Sequence, residues 1–308
     1  MTGEHLTDGW EPDLPVADTV VRRYVFNLAA FNEVPAVAAG ARVVHTDEFA
    51  AADLGRPAAM HNAATLLRPL PYDRPGDTLD AVEGFFDGQG TGEAYLWSAW
   101  PTPDLRSRGW VLEGHPPLLV RVPGRSPPPV PPGLRVERVT GVEGLRDWER
   151  IAVDGFPYRD LQPWRPGVLL GEPVLGDERL RLWVGYEGDR PVCMGTLFAA
   201  FGVAAFSLGV TLAEARRRGY WAAMAGVRLA DEPDLPAVGV FSDMSRSPAE
   251  ALGFLPVTRC TLWHRPRPEA RPVTCGPARP RSRGGPTWTA GTRPPPGGRS
   301  RSGPSPRG

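Results

Sequence analysis

The chain contains no lysine: all 35 of its basic side chains are arginine, and 35 acidic ones balance them. Zero net charge argues against non-specific nucleic-acid binding by the whole chain. Cysteine is scarce. Cys193, Cys260 and Cys275 are odd in number and stand 67 and 15 residues apart, a spacing that makes neither a disulfide framework nor a zinc ligand set, so no metal and a reducing, cytoplasmic setting are expected. The first ten residues carry Glu4 and Asp8 and lack the basic and apolar regions of a secretory leader. Gly-x-Ser-x-Gly, His-Glu-x-x-His and Cys-x-x-Cys are all missing, which removes the local signatures of an activated serine, a catalytic zinc and a redox dithiol.

Long apolar runs are missing too, apart from Cys193–Ala213, 21 residues without a charge. That is close to a bilayer-spanning length. Gly195, Gly202 and Gly209 interrupt it, however, and Gly202 sits at its midpoint, which predicts two buried strands joined by a tight turn. Leu180–Glu187 ahead of it alternates and leads into Gly188-Asp189, a hairpin signal. A three-stranded meander follows from these strings, and no membrane contact.

Composition divides the chain at two places. Arg125–Gly133 holds five prolines in nine residues, an extended linker between residues 1–124 and 134–264. From Arg265 to Gly308 there are ten arginines against one acid. The neutral total therefore conceals an acidic body, which does not fit a nucleic-acid partner. With eleven Pro and eight Gly in those 44 residues, the tail is expected to be disordered. It reads either as an arm for nucleic acid or an anionic surface or as a functionless extension.

Within 134–264, Leu134–Thr140 alternates as a strand, and Val142, Leu145, Trp148 and Ile151 form a helical stripe. A Pro-rich loop, 156–176, precedes the meander. A helix from about Gly219 to Asp231, a buried strand Ala237–Phe241, a short helical turn and a last strand Phe254–Trp263 complete a mixed α/β order. The first half, with helices near Val16–Leu28 and Thr78–Phe86 and strands Glu93–Trp100 and Pro117–Val122, repeats that order loosely. Gly88-Gln-Gly-Thr-Gly92 precedes a strand and not a helix, so it reads as a tight turn.

The most informative string is Gly209–Met224. An uncharged strand ends, Arg216, Arg217 and Arg218 fill a short loop, and an Ala-rich helix opens at Gly219. Unpaired N–H groups and the positive end of the dipole at a helix start bind anions, and glycine there lets a phosphate approach the main chain.

This stretch resembles the acyl-coenzyme A motif of the GNAT superfamily of N-acetyltransferases, Arg/Gln-x-x-Gly-x-Gly/Ala, with Arg216, Gly219 and Trp221 in its three positions. Ser247–Phe254 resembles the family's late helix and its Leu-Gly-Phe strand entry, and the likeness covers about 134–264. It implies a GNAT-like α/β fold with an antiparallel meander and flanking helices, the first half being a degenerate copy. It further implies acetyl-CoA as cofactor, held by Arg216, Arg217, Arg218, Gly219, Tyr220, Trp221 and Ala222, with Gly209, Val210 and Thr211 pairing with the pantetheine arm. Two positions depart from the pattern: Trp221 replaces a small residue, and Ala249 replaces the tyrosine that protonates the leaving thiolate in many members.

Acetyl transfer needs a neutral amine, a polarised carbonyl and a proton for the thiolate. Asp243 and Glu250 are the candidate bases, and Ser242, Ser245 and Tyr158 the candidate acids. Asp243 and Ser245 could equally cap a helical turn. The expected activity is N-acetylation of a primary amine on a small molecule or peptide. The alternative is a non-catalytic acyl-CoA-binding or regulatory module.

Overall fold

A computed structural model describes residues 19–87, 92–124, 126–156 and 158–267. Cys275, the basic tail from residue 268 and most of the 88–92 glycine string lie outside the described residues. The first half runs α1 (Val20–Ala38), β1 (Arg42–His45), β2 (Phe49–Asp53), β3 (Asn62–Leu66), α2 (Pro75–Asp87), β4 (Ala94–Ser98), β5 (Val111–Gly114) and β6 (Pro117–Arg121). The second runs β7 (Leu134–Arg138), α3 (Val142–Gly155), β8 (Leu180–Glu187), β9 (Arg190–Ala200), β10 (Val203–Thr211), α4 (Tyr220–Asp231), β11 (Ala237–Val240), α5 (Asp243–Ala251), β12 (Leu255–Arg259) and β13 (Thr261–Arg265).

The uncharged run folds as the glycine pattern predicts. β9 and β10 pair antiparallel across Phe201-Gly202, whose φ values of 55° and 68° are both positive, as a tight turn matched to the strand twist requires. Phe201 tolerates that backbone while its ring rests against Phe26 of α1, 5.8 Å away. β8 joins β9 through the expected Gly188-Asp189 turn, with Glu187 opposite Arg190. No helix among the described residues is long and apolar enough to cross a membrane. The stripe on α3 also packs as read: Leu145, Trp148 and Ile151 are buried, Trp148 completely, each contributing about 1.5–3 kcal/mol of burial.

The strands form two mixed sheets, β1-β2-β3-β4-β13-β5 and β12-β6-β11-β10-β9-β8-β7. Each contains an antiparallel meander (β1-β2-β3; β8-β9-β10), a helical crossover (α2; α4) and one parallel pair, β3 with β4 or β10 with β11. The halves are therefore built alike, and they exchange strands. β6 of the first half lies between β11 and β12, and β13 of the second lies between β4 and β5. The two crossings touch where Cys260 N–H donates to the Pro116 carbonyl at 3.0 Å.

That exchange corrects one expectation. Phe254–Trp263 is not one strand but two, β12 and β13, divided at buried Cys260 and paired in different sheets. Local alternation cannot show the break, which is imposed by the pairing segment turning at Pro116-Pro117. Two helices are also longer than read: α1 extends to Ala38, and the short turn after β11 is the nine-residue α5. α1 packs between the sheets, and its buried Asn27 donates to the carbonyls of Phe198 and Ala200 at 3.0 and 3.1 Å.

Candidate functional site

β10 and β11 pair only at Ala204 with Ala237 and Ala205 with Val238. Beyond those residues β11 continues beside β6 while β10 follows β9 through a register shift between Phe206 and Gly209. The strands separate into a notch, and the β10 edge that faces it, from Phe206 onward, has no strand partner among the described residues. An extended ligand can pair with such an edge.

The start of α4 lies beside this notch. Gly219 precedes it at φ 79° with no side-chain cap, and Arg217 is also left-handed at φ 63°. A Cβ on Gly219 would meet nothing within 4 Å, so glycine is required by its backbone angle and not by crowding. The first intrahelical bond runs from Ala223 N–H to the Gly219 carbonyl. The N–H groups of residues 217–222 donate to no protein acceptor among the described residues. Unpaired, forward-facing amides next to positive-φ residues make an anion-binding hollow.

The three arginines play different parts. Arg216 Nε turns back to the Thr211 carbonyl at 3.1 Å. Arg218 pairs with Glu187, which also accepts from the Tyr220 hydroxyl, and these two donors hold the Glu187 carboxyl below its usual range. Arg217 is exposed and makes no ion pair among the described residues. Of the remaining positions, Gly209 and Trp221 line the adjoining cavity. Val210 is buried, Ala222 is half-buried, and the Thr211 hydroxyl is buried without a hydrogen-bond partner. Trp221, at the small-residue position, leans edge-on against Phe241 at 6.4 Å, toward the β11 side of the notch.

The notch opens into a cavity of about 330 Å³ between the halves. One wall is Phe206–Gly209, Phe241 and the serines that begin α5; the other comes from α1, His61, and Tyr95 and Trp97 on β4. Ser242 and Ser245 line it and share a hydrogen bond at 3.0 Å. Asp243 and Glu250 do not line it. Asp243 is exposed at the start of α5, and Glu250 pairs with Arg246 at 2.8 Å on the same helix. Ala249 is fully buried, so its position faces the core.

Tyr158, on the Pro-rich loop, faces inward. It is buried, and its hydroxyl lies 3.3 Å from His61 Nε2. Burial pushes the phenol well above its ordinary value. His61, which does line the cavity, is 3% exposed. Burial, with a smaller push from Arg56, lowers its imidazole from 6.5 to about 4. Sequence reading missed His61; its one signal is a polar His-Asn pair interrupting an alanine-rich stretch. Arg228 on α4, also missed, lines the cavity's inner side. Among the described residues no group of three or more His, Cys, Asp or Glu side chains is placed to hold a metal.

No family model and no curated relative matches this chain. Solved structures do. A GCN5-related N-acetyltransferase from Kribbella flavida superposes with a TM-score of 0.55 at 19% identity, over 78% of this chain and 95% of that one. A functionally unknown conserved protein from Staphylococcus epidermidis ATCC 12228 reaches 0.51 at 11% identity, over 73% and 93%. At these identities the likeness speaks for architecture: the chain has the fold of the GCN5-related N-acetyltransferases.

Proposed function

We propose that the protein is an N-acetyltransferase that uses acetyl-CoA to acetylate a primary amine. One observation carries this reading: a strand edge at Phe206–Thr211 opens beside a helix start, and among the described residues the edge has no strand partner and the N–H groups of residues 217–222 have no acceptor. An anion-binding hollow continuous with a strand edge suits a ligand with a phosphorylated head and an amide-bearing arm. Bound acetyl-CoA would supply an acetyl thioester, and transfer forms a C–N bond, breaks a C–S bond and returns the thiol with the proton the amine gives up.

The chain's own residues take the remaining roles. Gly219, the neighbouring main chain and Arg217 hold the phosphates, and the β10 edge orients the arm. Trp221 and Phe241 wall the passage and exclude water. The amine enters from the cavity between the halves. His61, held neutral above about pH 4 by burial, lines that entrance as a hydrogen-bonding group and not as a base, and Tyr158, kept protonated by burial, orients its ring. Ser242 and Ser245 present hydroxyls to the cavity beside the notch.

Calorimetry with acetyl-CoA tests the binding step. The unaltered protein should bind it, and Gly219→Val should lose at least about tenfold in affinity, because a β-branched residue strains at positive φ and its side chain stands in the hollow. No binding by the unaltered protein would end the proposal. A non-catalytic acyl-CoA-binding module is the second reading, favoured by Ala249, which leaves no tyrosine at the family's proton-donor position. Binding without thiol release across an amine panel would select it.

A further inference from the structure

Arg228 is the one arginine in the cavity wall, and among the described residues no carboxylate lines that wall with it. It is 3% exposed. Two glycines make room for it: a Cβ at Gly195 would stand 3.0 Å from Nε, and one at Gly209 3.5 Å from Nη2. Nε donates to the Met224 carbonyl and Nη1 to the Thr196 carbonyl, each at 3.2 Å, and the guanidinium lies 4.1 Å from the centre of the Phe206 ring. Nη2 donates to no protein acceptor among the described residues. Burial lowers the group to about 9, so it is still a cation at neutral pH.

A buried cation without a carboxylate is costly unless an anion completes it. The coenzyme's phosphates cannot do so while seated at Gly219, because Arg228 lies eight residues into α4, roughly 12 Å along the axis. We propose that Arg228 anchors the acceptor: the amine acetylated here also carries a carboxylate, which pairs with the free Nη2 face, and an apolar or aromatic body that lies against Phe206, Trp97 and Leu28. Apolar α-amino acids have this chemistry. Polycationic amines do not, since the same guanidinium repels them. The inference rests on the acetyltransferase reading for the word acceptor but not for the anion site itself.

The test uses the full-length protein and product-like probes, the N-acetyl derivatives of phenylalanine, leucine and tryptophan, each as free acid and as amide. Calorimetry should show at least one acid bound about tenfold or more tighter than its amide, as expected for a charge-assisted pair. That preference should fall to within about twofold in Arg228→Met and persist in part in Arg228→Lys, with coenzyme A affinity unchanged in both. Indifference between acid and amide, whether both bind or neither does, overturns the inference. So does an Arg228→Met variant that loses coenzyme A affinity while keeping the preference. The acid–amide comparison on the unaltered protein decides the matter even if Arg228→Met fails to fold. If coenzyme A does not bind but the acid preference holds, the anion site stands and the acetyltransferase reading falls. If coenzyme A binds and acid and amide bind alike, the anion site falls and the acetyltransferase reading stands.

Discussion

At the scale of single residues, burial sets the chemistry of the cavity wall. His61 has a folded-state value near 4 against the ordinary 6.5. Between those values the unfolded chain takes up a proton that the folded chain refuses, so stability is retained above about pH 6.5 and declines as pH drops toward 4. The full difference is worth up to about 3 kcal/mol. Urea denaturation of the native protein and of His61→Asn at pH 7 and pH 4.5 checks this. The native protein should lose about 2–3 kcal/mol more than the variant between the two pH values, and equal losses would mean that His61 is charged in the folded state. Arg228 should behave in the opposite sense to most buried polar groups. Its two carbonyl bonds and its stacking on Phe206 offset only part of its desolvation, so Arg228→Met should gain about 1–3 kcal/mol in the same assay.

At the scale of elements, α4 is constrained by the segment that crosses it. Its Gly226 lies under the Pro-rich linker, and a Cβ there would approach the Pro128 carbonyl oxygen to 2.6 Å. Helix propensity alone favours alanine at an interior glycine by about 1 kcal/mol. Contact with main chain reverses the sign, and Gly226→Ala is expected to lose about 1–3 kcal/mol in midpoint stability; a gain would show that the linker yields freely. What the amino-acid string reveals at this scale follows from how local each signal is. The β9–β10 hairpin, the α3 stripe and the Gly219 helix start are legible because turn residues and periodicity lie within a few positions. β2 (Phe-Ala-Ala-Ala-Asp) and β3 (Asn-Ala-Ala-Thr-Leu) are not: both are buried along their whole length, so they show no alternation, and alanine has no preference for strands. The anion hollow is readable for the same reason as α4. The cavity is not, since its outer wall comes from α1, His61 and β4, more than a hundred residues away in sequence.

At the scale of the molecule, the exchange of β6 and β13 binds the halves into one folding unit. Without β13 the first sheet has a gap between β4 and β5, and without β6 the second has a gap between β11 and β12. Residues 1–124 and 134–308 expressed apart should each fail to give a cooperative unfolding transition by circular dichroism, and together they should co-elute on size exclusion and unfold in one step. A stable, monomeric half would refute this. The exchange also bears on synthesis. β13 ends at Arg265, so the amino-terminal sheet waits, with β4 lacking a neighbour, until nearly all of the described chain has left the ribosome. A premature stop anywhere before that residue damages the oldest part of the nascent chain as surely as the newest.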